Sequence, residues 1–282
     1  MTNKETLQSY NNRLSDNNLS LEDIIERINN LPVAGGTTTP DSTEYIQDGL
    51  IAWFDGEDDL DENGHWNSRI GDDYFYQSYP SGGTQMKDLK TSNAIVNNTT
   101  FCAKNTADYL LQDYTIEVVG GMVPGEGNAL LTFNKTKTVF IAVGQQKPGE
   151  LSLQNTSDAV NYYEKVYGGL LNKRFSCAIN LLAVAPRGTA AYAPRLLYSV
   201  NGSPWYFWGF TPNSKYSGGI SVSSASGYKS LTCTLLSYYE AQYPNAGEVN
   251  CIRVYNRRLT DQELAHNYKI DKERFNLDNL EG

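Results

Sequence analysis

The stretch from Gly247 to Phe275 constrains this chain more than any other. In Gly247-Glu248-Val249-Asn250-Cys251-Ile252-Arg253-Val254-Tyr255, β-branched and aromatic residues dominate, and Ile252 and Val254 fall on one face, which predicts a strand. Asn256-Arg257-Arg258-Leu259 then breaks the alternation. Thr260 stands before Asp261-Gln262-Glu263, the spacing of a capping box: its hydroxyl accepts from the third backbone N–H while Glu263 reaches back to the cap. Leu259 staples onto Leu264, and Leu264, Tyr268 and Ile270 form an apolar side running toward Phe275. A strand delivered straight into a capped amphipathic helix implies a sheet with that helix lying on it.

The rest of the chain from Tyr45 onward is punctuated like an antiparallel β-protein. The predicted strands are Leu50–Phe54, Tyr114–Met122, Ala129–Phe133, Thr138–Val143, Leu151–Gln154, Phe175–Ala185, Leu196–Val200, Trp205–Phe210, Ile220–Ser223, Leu231–Tyr238 and Val249–Tyr255, separated almost throughout by Gly, Pro and Asn. Asn201-Gly202, between Leu197-Tyr198-Ser199-Val200 and Trp205-Tyr206-Phe207-Trp208, is the clearest hairpin signal. Many short strands of this kind make a two-sheet sandwich.

The segment Glu248 to Phe275, with Ile252-Arg253-Val254-Tyr255-Asn256-Arg257, Leu259-Thr260 and Asn267-Tyr268, closely resembles the carboxy-terminal signature of laminin-G-like domains. Gly49-Leu50-Ile51-Ala52-Trp53-Phe54-Asp55-Gly56 resembles the opening strand of the same family, so the resemblance brackets roughly residues 44 to 277. It implies an all-β, concanavalin A-like two-sheet antiparallel jelly roll, here with a short N-terminal helical segment and a C-terminal helix. This form of the ending is similar to versions found in bacteriophage virion proteins. The fold itself serves adhesins, lectins, glycosidases and inert structural modules alike, so function has to come from sites.

Residues 1–32 differ from the remainder of the chain, being rich in Asn, Leu and Glu without glycine punctuation. Leu7, Tyr10 and Leu14 sit on one helical face, and Ser20 with Asp23 forms a near capping box before Leu21, Ile24, Ile25 and Ile28. A helix of about ten residues with a narrow apolar stripe is marginal alone in water, so the stripe must be covered by the sandwich, by copies of itself or by another protein. Pro32 ends it, and residues 33–43, with Gly35-Gly36-Thr37-Thr38-Thr39-Pro40, read as a hinge before a domain spanning 44–282. That separation favours oligomerisation or docking on a partner.

The 282 residues suit one large β-domain with an appendage. Twenty-three basic against 32 acidic residues, with no basic run, argue against nucleic acid as a partner. No apolar run reaches the roughly 18 residues of a membrane span, and the first residues lack the apolar core of a signal peptide. Membrane insertion is therefore not expected, and assembly in a host cytoplasm is. Cys102, Cys177, Cys233 and Cys251 contain no Cys-x-x-Cys pair and read as buried free thiols; His65 and His266 alone do not make a histidine-rich metal site.

Three groups of residues bear on chemistry. In the acidic segment from Asp55 to Gly64, Asp59-x-Asp61-x-Asn63-Gly64 copies the first half of a calcium loop, but Ile70 stands where the bidentate Glu would be required. Calcium held by Asp55, Asp59, Asp61 and Asn63, or a solvated loop without metal, are the two readings. A glycosidase needs two carboxyls at a defined separation, and the nearest approximation, Glu57-x-Asp59-x-Asp61, lies in a loop, while Glu117 and Glu240 occur singly. Hydrolysis is not expected. Finally, 20 Tyr and 4 Trp cluster in Tyr74-Phe75-Tyr76, Tyr162-Tyr163, Trp205-Tyr206-Phe207-Trp208 and Tyr238-Tyr239. Neighbouring residues on a strand face opposite sides, so two of the four aromatics in the third cluster project away from the core unless the sandwich is unusually thick. Trp205, Tyr206 and Trp208, with Asn201 at the turn, are the predicted carbohydrate-binding residues, since Tyr and Trp suit stacking on sugar rings. The sequence thus leads us to expect a non-enzymatic virion protein, a head fibre, capsid decoration or tail appendage, anchored to other virion proteins or to its own copies through residues 1–32 and displaying a glycan-binding jelly roll; the alternatives are a glycan-cleaving enzyme of the same fold and a purely structural, shell-stabilising decoration without a ligand.

Overall fold

The computed structural model describes residues 43–77, 85–97, 103–109, 114–122, 128–136, 139–145, 151–157, 160–167, 173–182, 195–209, 231–235, 237–238, 243–244 and 247–277. The chain divides into two compact units, Met1–Asp41 and Ser42–Gly282. The first lies outside the described residues, and with it the predicted helical segment and most of the hinge.

The second unit is a sandwich of two antiparallel sheets. In chain order its strands are β1 (Leu50–Asp55), β2 (Trp66–Asn67), β3 (Tyr74–Gln77), β4 (Ile95–Asn97), β5 (Ala103–Tyr109), β6 (Thr115–Met122), β7 (Asn128–Thr136), β8 (Val139–Gln145) and β9 (Leu151–Ser157). They continue with β10 (Val160–Tyr167), β11 (Arg174–Leu182), β12 (Arg195–Val200), β13 (Tyr206–Gly209), β14 (Leu231–Leu235), β15 (Ser237–Tyr238), β16 (Tyr243–Pro244) and β17 (Gly247–Tyr255). A short helix α1 (Met86–Leu89) precedes β4, and α2 (Asp261–Phe275) follows β17. One sheet runs β1-β17-β6-β11-β12-β13, with β4 also on β17; the other runs β10-β9-β8-β7-β14-β5-β3-β2; β15 and β16 form a small ribbon. Ile220–Ser223, predicted as a strand, lies outside the described residues, whereas β2, β3, β4, β5, β10 and β16 are not among the predicted strands.

Strand β17 is the spine of the first sheet. It pairs with β1 and β4 on one side and β6 on the other, and all of its residues but Glu248 are buried. A register shift between Val249 and Cys251 inserts Asn250 as an extra residue against β6, so Val249, Ile252 and Val254 all reach the core between the sheets. There they meet Ala52 and Phe54 of β1, Ile116 and Val118 of β6, and Phe175, Cys177 and Ile179 of β11. The second sheet contributes Trp66, Phe75, Ala103, Leu130 and Leu131. Phe54 packs edge-on against Phe75 at 4.7 Å.

The outward face of the same sheet carries α2, as its sequence requires. Thr260 accepts from the Glu263 N–H (3.2 Å), the Thr260 N–H donates to Glu263 Oε2 (2.8 Å), and Leu259 and Leu264 are buried together with Tyr255 and Ala178. The helix ends at Asn276 in the left-handed region (φ 50°), its N–H donating to the Lys272 carbonyl. Its buried face is not the one expected from the apolar residues. Leu264 and Phe275 are buried at its ends, but the middle is Asn267 and Asp271, while Tyr268 and Ile270 are only half-buried.

The β12–β13 connection turns at Asn201 and Gly202, both with positive φ (51° and 68°), and the Ser203 N–H donates to the Val200 carbonyl. The turn rests on α2: a Cβ on Gly202 would come within 2.6 Å of Tyr268 Cβ and 3.0 Å of Ala265 Cα. Gly64 has the same backbone sign (φ 77°) with nothing near its missing Cβ. Gly64→Ala should therefore cost about 1 kcal/mol from backbone strain alone. Gly202→Ala should cost clearly more, at least about 2 kcal/mol, because the Cβ also forces turn and helix apart. Chemical denaturation of both variants measures the difference.

Candidate functional site

Two regions concentrate the polar and aromatic side chains: the outward face of the first sheet beneath α2, and the strand edge at β12–β13.

Beneath α2, residues of opposite charge are locked together out of water. Arg253, on β17, alternates with Ile252 and Val254 and so faces away from the core. Its guanidinium is fully buried, donating from Nε to Glu117 on β6 (2.7 Å) and in a fork to Asp271 on α2 (2.7 and 2.6 Å). Asn267 donates to Glu117 (2.9 Å) and to the Tyr255 hydroxyl (3.0 Å). The Tyr45 ring covers the guanidinium at 4.0 Å, and its hydroxyl donates to Asp271 (2.8 Å). Burial drives the Tyr45 phenol pKa far up, so it stays a donor. Burial also raises the Glu117 carboxyl, although Arg253 pulls against it, because the fork of Arg253 goes to Asp271.

The acidic segment borders this cluster and is neutralised from within the protein. Asp55 is buried at the end of β1, receiving both guanidinium nitrogens of Arg274 (2.9 and 3.1 Å) and lying 3.0 Å from Arg69. Arg274 also donates to Glu57 (2.7 Å), and Arg69 makes a two-point contact with Asp58 (2.7 and 2.8 Å). Asp61 turns its own loop, accepting from the N–H groups of Asn63 (2.9 Å) and His65 (2.8 Å); these bonds, His65 first, hold its carboxyl below the ordinary range. Asp59 and Asn63 are exposed. Of the four residues predicted to hold calcium, the structure thus places Asp55 on two arginines and Asp61 on its own backbone. Among the described residues no three His, Cys, Asp or Glu side chains converge as a metal site.

The predicted carbohydrate-binding residues separate. Trp205 is half-buried against α2, donating its indole N–H to the Leu259 carbonyl (2.7 Å) and its backbone N–H to Asp261 (3.0 Å). Asn201 clamps the turn to β11, accepting from the Ser176 N–H (2.9 Å). Both therefore hold the hairpin in place. Trp208 pairs through its backbone with Leu196. Tyr206 is the large hydrophobic side chain exposed among the described residues, with 51% of its surface open, and it stacks on Tyr198 at 5.5 Å and 30°. Registry puts Tyr206, Tyr198 and Ile179 in one cross-strand row, the row that enters the core at Ile179. At the sheet edge this row emerges from the core as a ledge of two phenols. Tyr198 was not singled out from the sequence, although its position four residues before the Gly202 turn carried the signal.

No family model matches the chain, and no curated protein sequence matches it. Its structure is similar to domain 4 of AbnA, a GH43 extracellular arabinanase from Geobacillus stearothermophilus, solved in complex with arabinotriose, at TM-score 0.53 and 15% identity over 77% of this chain and 96% of that one. It is also similar to Trypanosoma rangeli sialidase, solved as a covalent intermediate with 2,3-difluorosialic acid, at TM-score 0.51 and 12% identity over 80% of this chain. The match spans only 33% of that sialidase. These likenesses establish the fold, a two-sheet antiparallel β-sandwich consistent with the concanavalin A-like jelly roll.

Two outcomes test the buried cluster. Arg253→Met leaves Glu117 and Asp271 buried without a cation and should cost about 3–5 kcal/mol, measured by denaturant unfolding. For Glu117 the folded pKa is raised, so its contribution is complete below the ordinary carboxylate range and is lost as pH rises through the folded value. Glu117→Gln should remove that fall, giving a flatter stability–pH curve above pH ~5 than the wild type shows.

Proposed function

We propose that the domain spanning residues 44–282 is a non-enzymatic carbohydrate-binding module, and that Tyr206 stacked on Tyr198 is its sugar-contacting ledge. The observation that carries this reading is one exposed ring, Tyr206, stacked on the half-buried Tyr198 at the edge of a sheet whose other described aromatics are at least half covered. A phenol ring offers an apolar face to the C–H side of a sugar and a hydroxyl to its polar rim. The ledge stands on a hairpin that Trp205 and Asn201 fix to α2 and β11, so the ring is presented without much ordering cost. The likeness to a domain solved with arabinotriose supports the same reading. The non-enzymatic part is supported by the buried carboxylates: Asp55, Glu117 and Asp271 each sit against an arginine rather than as a pair facing a cleft.

The finer reading is a bacteriophage virion protein, a head fibre, capsid decoration or tail appendage. It rests on the resemblance of residues 248–275 to versions of this ending in virion proteins and on the separate composition of residues 1–32. In it the amino-terminal segment docks on other virion proteins or on its own copies, and many weak sites act together on a glycan surface.

Screening the full chain on a glycan array checks the binding reading, and Tyr206→Ala should weaken a detected interaction about tenfold, or about 1.4 kcal/mol, with the unfolding temperature unchanged. Release of reducing ends from polysaccharide would overturn the non-enzymatic reading. Deleting residues 1–34 should abolish incorporation into particles; unchanged incorporation would remove the anchor from the proposal.

A further inference from the structure

Helix α2 is gripped from two sides. At about 100° per residue, the side toward the sheet carries Leu264, Asp271 and Phe275, one flank carries His266 and Asn267, and the other carries Asp261, Ala265 and Tyr268. The first flank is held by the segment that enters the domain. His266 donates from Nε2 to the Glu44 carbonyl (2.8 Å), and the Ile46 N–H donates to Asn267 Oδ1 (3.1 Å). Between these two bonds Tyr45 turns under the helix, its hydroxyl donating to Asp271 (2.8 Å) and accepting from Arg274 (3.1 Å), its ring edge-on to Trp53 at 5.3 Å. Residues 44–46 thus form a strap along α2.

The second flank is held by the hairpin that carries Tyr206. Trp205 donates its indole N–H to the Leu259 carbonyl and its backbone N–H to Asp261, and Gly202 approaches Ala265 and Tyr268 too closely to admit a side chain. A path of hydrogen bonds joins the two flanks beneath the helix. Tyr45 bonds one carboxylate oxygen of Asp271, and the Ser176 hydroxyl donates to the other (3.4 Å). Ser176 in turn exchanges two bonds with Asn201 at the turn, its N–H donating to Asn201 Oδ1 and its carbonyl accepting from the Asn201 N–H (both 2.9 Å). Close-packed elements pass a displacement on, because no void absorbs it. A polar network that loses one bond also leaves its remaining members less well paired. Freed on the strap side, α2 therefore has room to draw away from the hairpin.

We propose that α2 couples the strap to the hairpin: seating residues 44–46 holds the helix against Gly202 and Trp205 and so fixes Tyr206, and lifting the strap loosens the ledge. The coupling acts equally from either end, because a free-energy link between two sites is reciprocal. Its consequence for a sugar rests on the carbohydrate-binding reading; the coupling itself does not. In that reading a pull on the chain ahead of residue 44 reaches the ledge through α2.

Hydrogen exchange at two indoles of the full chain tests the coupling. The Trp205 indole N–H lies at the contact of hairpin and helix, whereas the Trp66 indole donates to the Asp55 carbonyl (2.9 Å) within the core between the sheets. Tyr45→Phe keeps the ring over Arg253 and removes only the hydroxyl; it should speed exchange at the Trp205 indole by at least about fivefold, with Trp66 unchanged. In the reverse direction Trp205→Phe should speed exchange of the Ile46 N–H by a similar factor, again with Trp66 unchanged. A general loss of stability would speed Trp66 as well, so equal acceleration at both indoles would overturn the proposal. Unaltered exchange at Trp205 in Tyr45→Phe would do the same. These readouts need no ligand: a wild type silent on a glycan array would remove the carbohydrate reading, while the indoles still decide the coupling. On a glycan that the wild type binds, Tyr45→Phe should weaken affinity about fivefold, and unchanged affinity would count against the proposal as decisively as unaltered exchange.

Discussion

A guanidinium withdrawn from water needs its charge answered in place, and the requirement at Arg253 organises the outward half of this domain. The side chain sits on an interior strand of its sheet, paired on both sides, so it cannot escape to solvent by swinging aside. Its partners come from a neighbouring strand, Glu117, and from the closing helix, Asp271, with Tyr45 as a lid from the segment that enters the domain. Each partner is distant in sequence, and each is worth little without the others, because a half-satisfied buried ion pair is worse than an apolar contact. The cluster therefore specifies where α2 lies on the sheet more than it adds to stability. The apolar ends of α2, Leu264 and Phe275, supply the burial energy, and Asn267 and Asp271 between them supply the register.

The same logic extends to the surface next to the cluster. An acidic run beginning at a buried Asp55 would repel itself, and the protein answers with Arg274 from the helix, Arg69 from the following loop and Lys90 from behind α1. Because Arg274 also donates to Tyr45 (3.1 Å), the loop, the lid and the helix share one charge arrangement. A chain with nine more acids than bases thus has its most acidic segment fastened by its own cations.

Local signals were legible where one interaction decides them. Thr260, Glu263 and Leu259 specify the start of α2 almost by themselves, and Asn201-Gly202 is a turn because two consecutive positive φ values select those residues. The buried face of α2 was misread because apolar counting favours Tyr268 and Ile270 over Asn267 and Asp271; polar residues become core residues only once Arg253 and Glu117 are known to face them. Strand β5 hides for a related reason: Ala-Lys-Asn-Thr-Ala-Asp-Tyr looks polar, yet Ala103 and Asn105 are buried. In the acidic segment the spacing of carboxylates suggested metal, while the cations that meet them lie 11 and 219 residues away in the chain from Asp58 and Asp55. Of the residues predicted to bind carbohydrate, Trp205 and Asn201 are spent on holding the fold. An indole needs an acceptor when half-buried, and the one it found, the carbonyl of Leu259, belongs to the approach to α2.

The division between covered and exposed aromatics falls at the β12–β13 edge, where Trp205 packs toward α2 and Tyr206 stays open. A sheet edge is ordinarily a risk, since unpaired backbone groups invite another strand. Here the hairpin is tied to α2 by Trp205, to β11 by Asn201 and to the helix surface by the close approach of Gly202, so its position derives from the Arg253 cluster at one remove. Tyr206 then stands on a rigid support while contributing little to that support itself. A residue freed from the core in this way can be altered without unfolding the domain, while the cluster that positions α2 stays fixed.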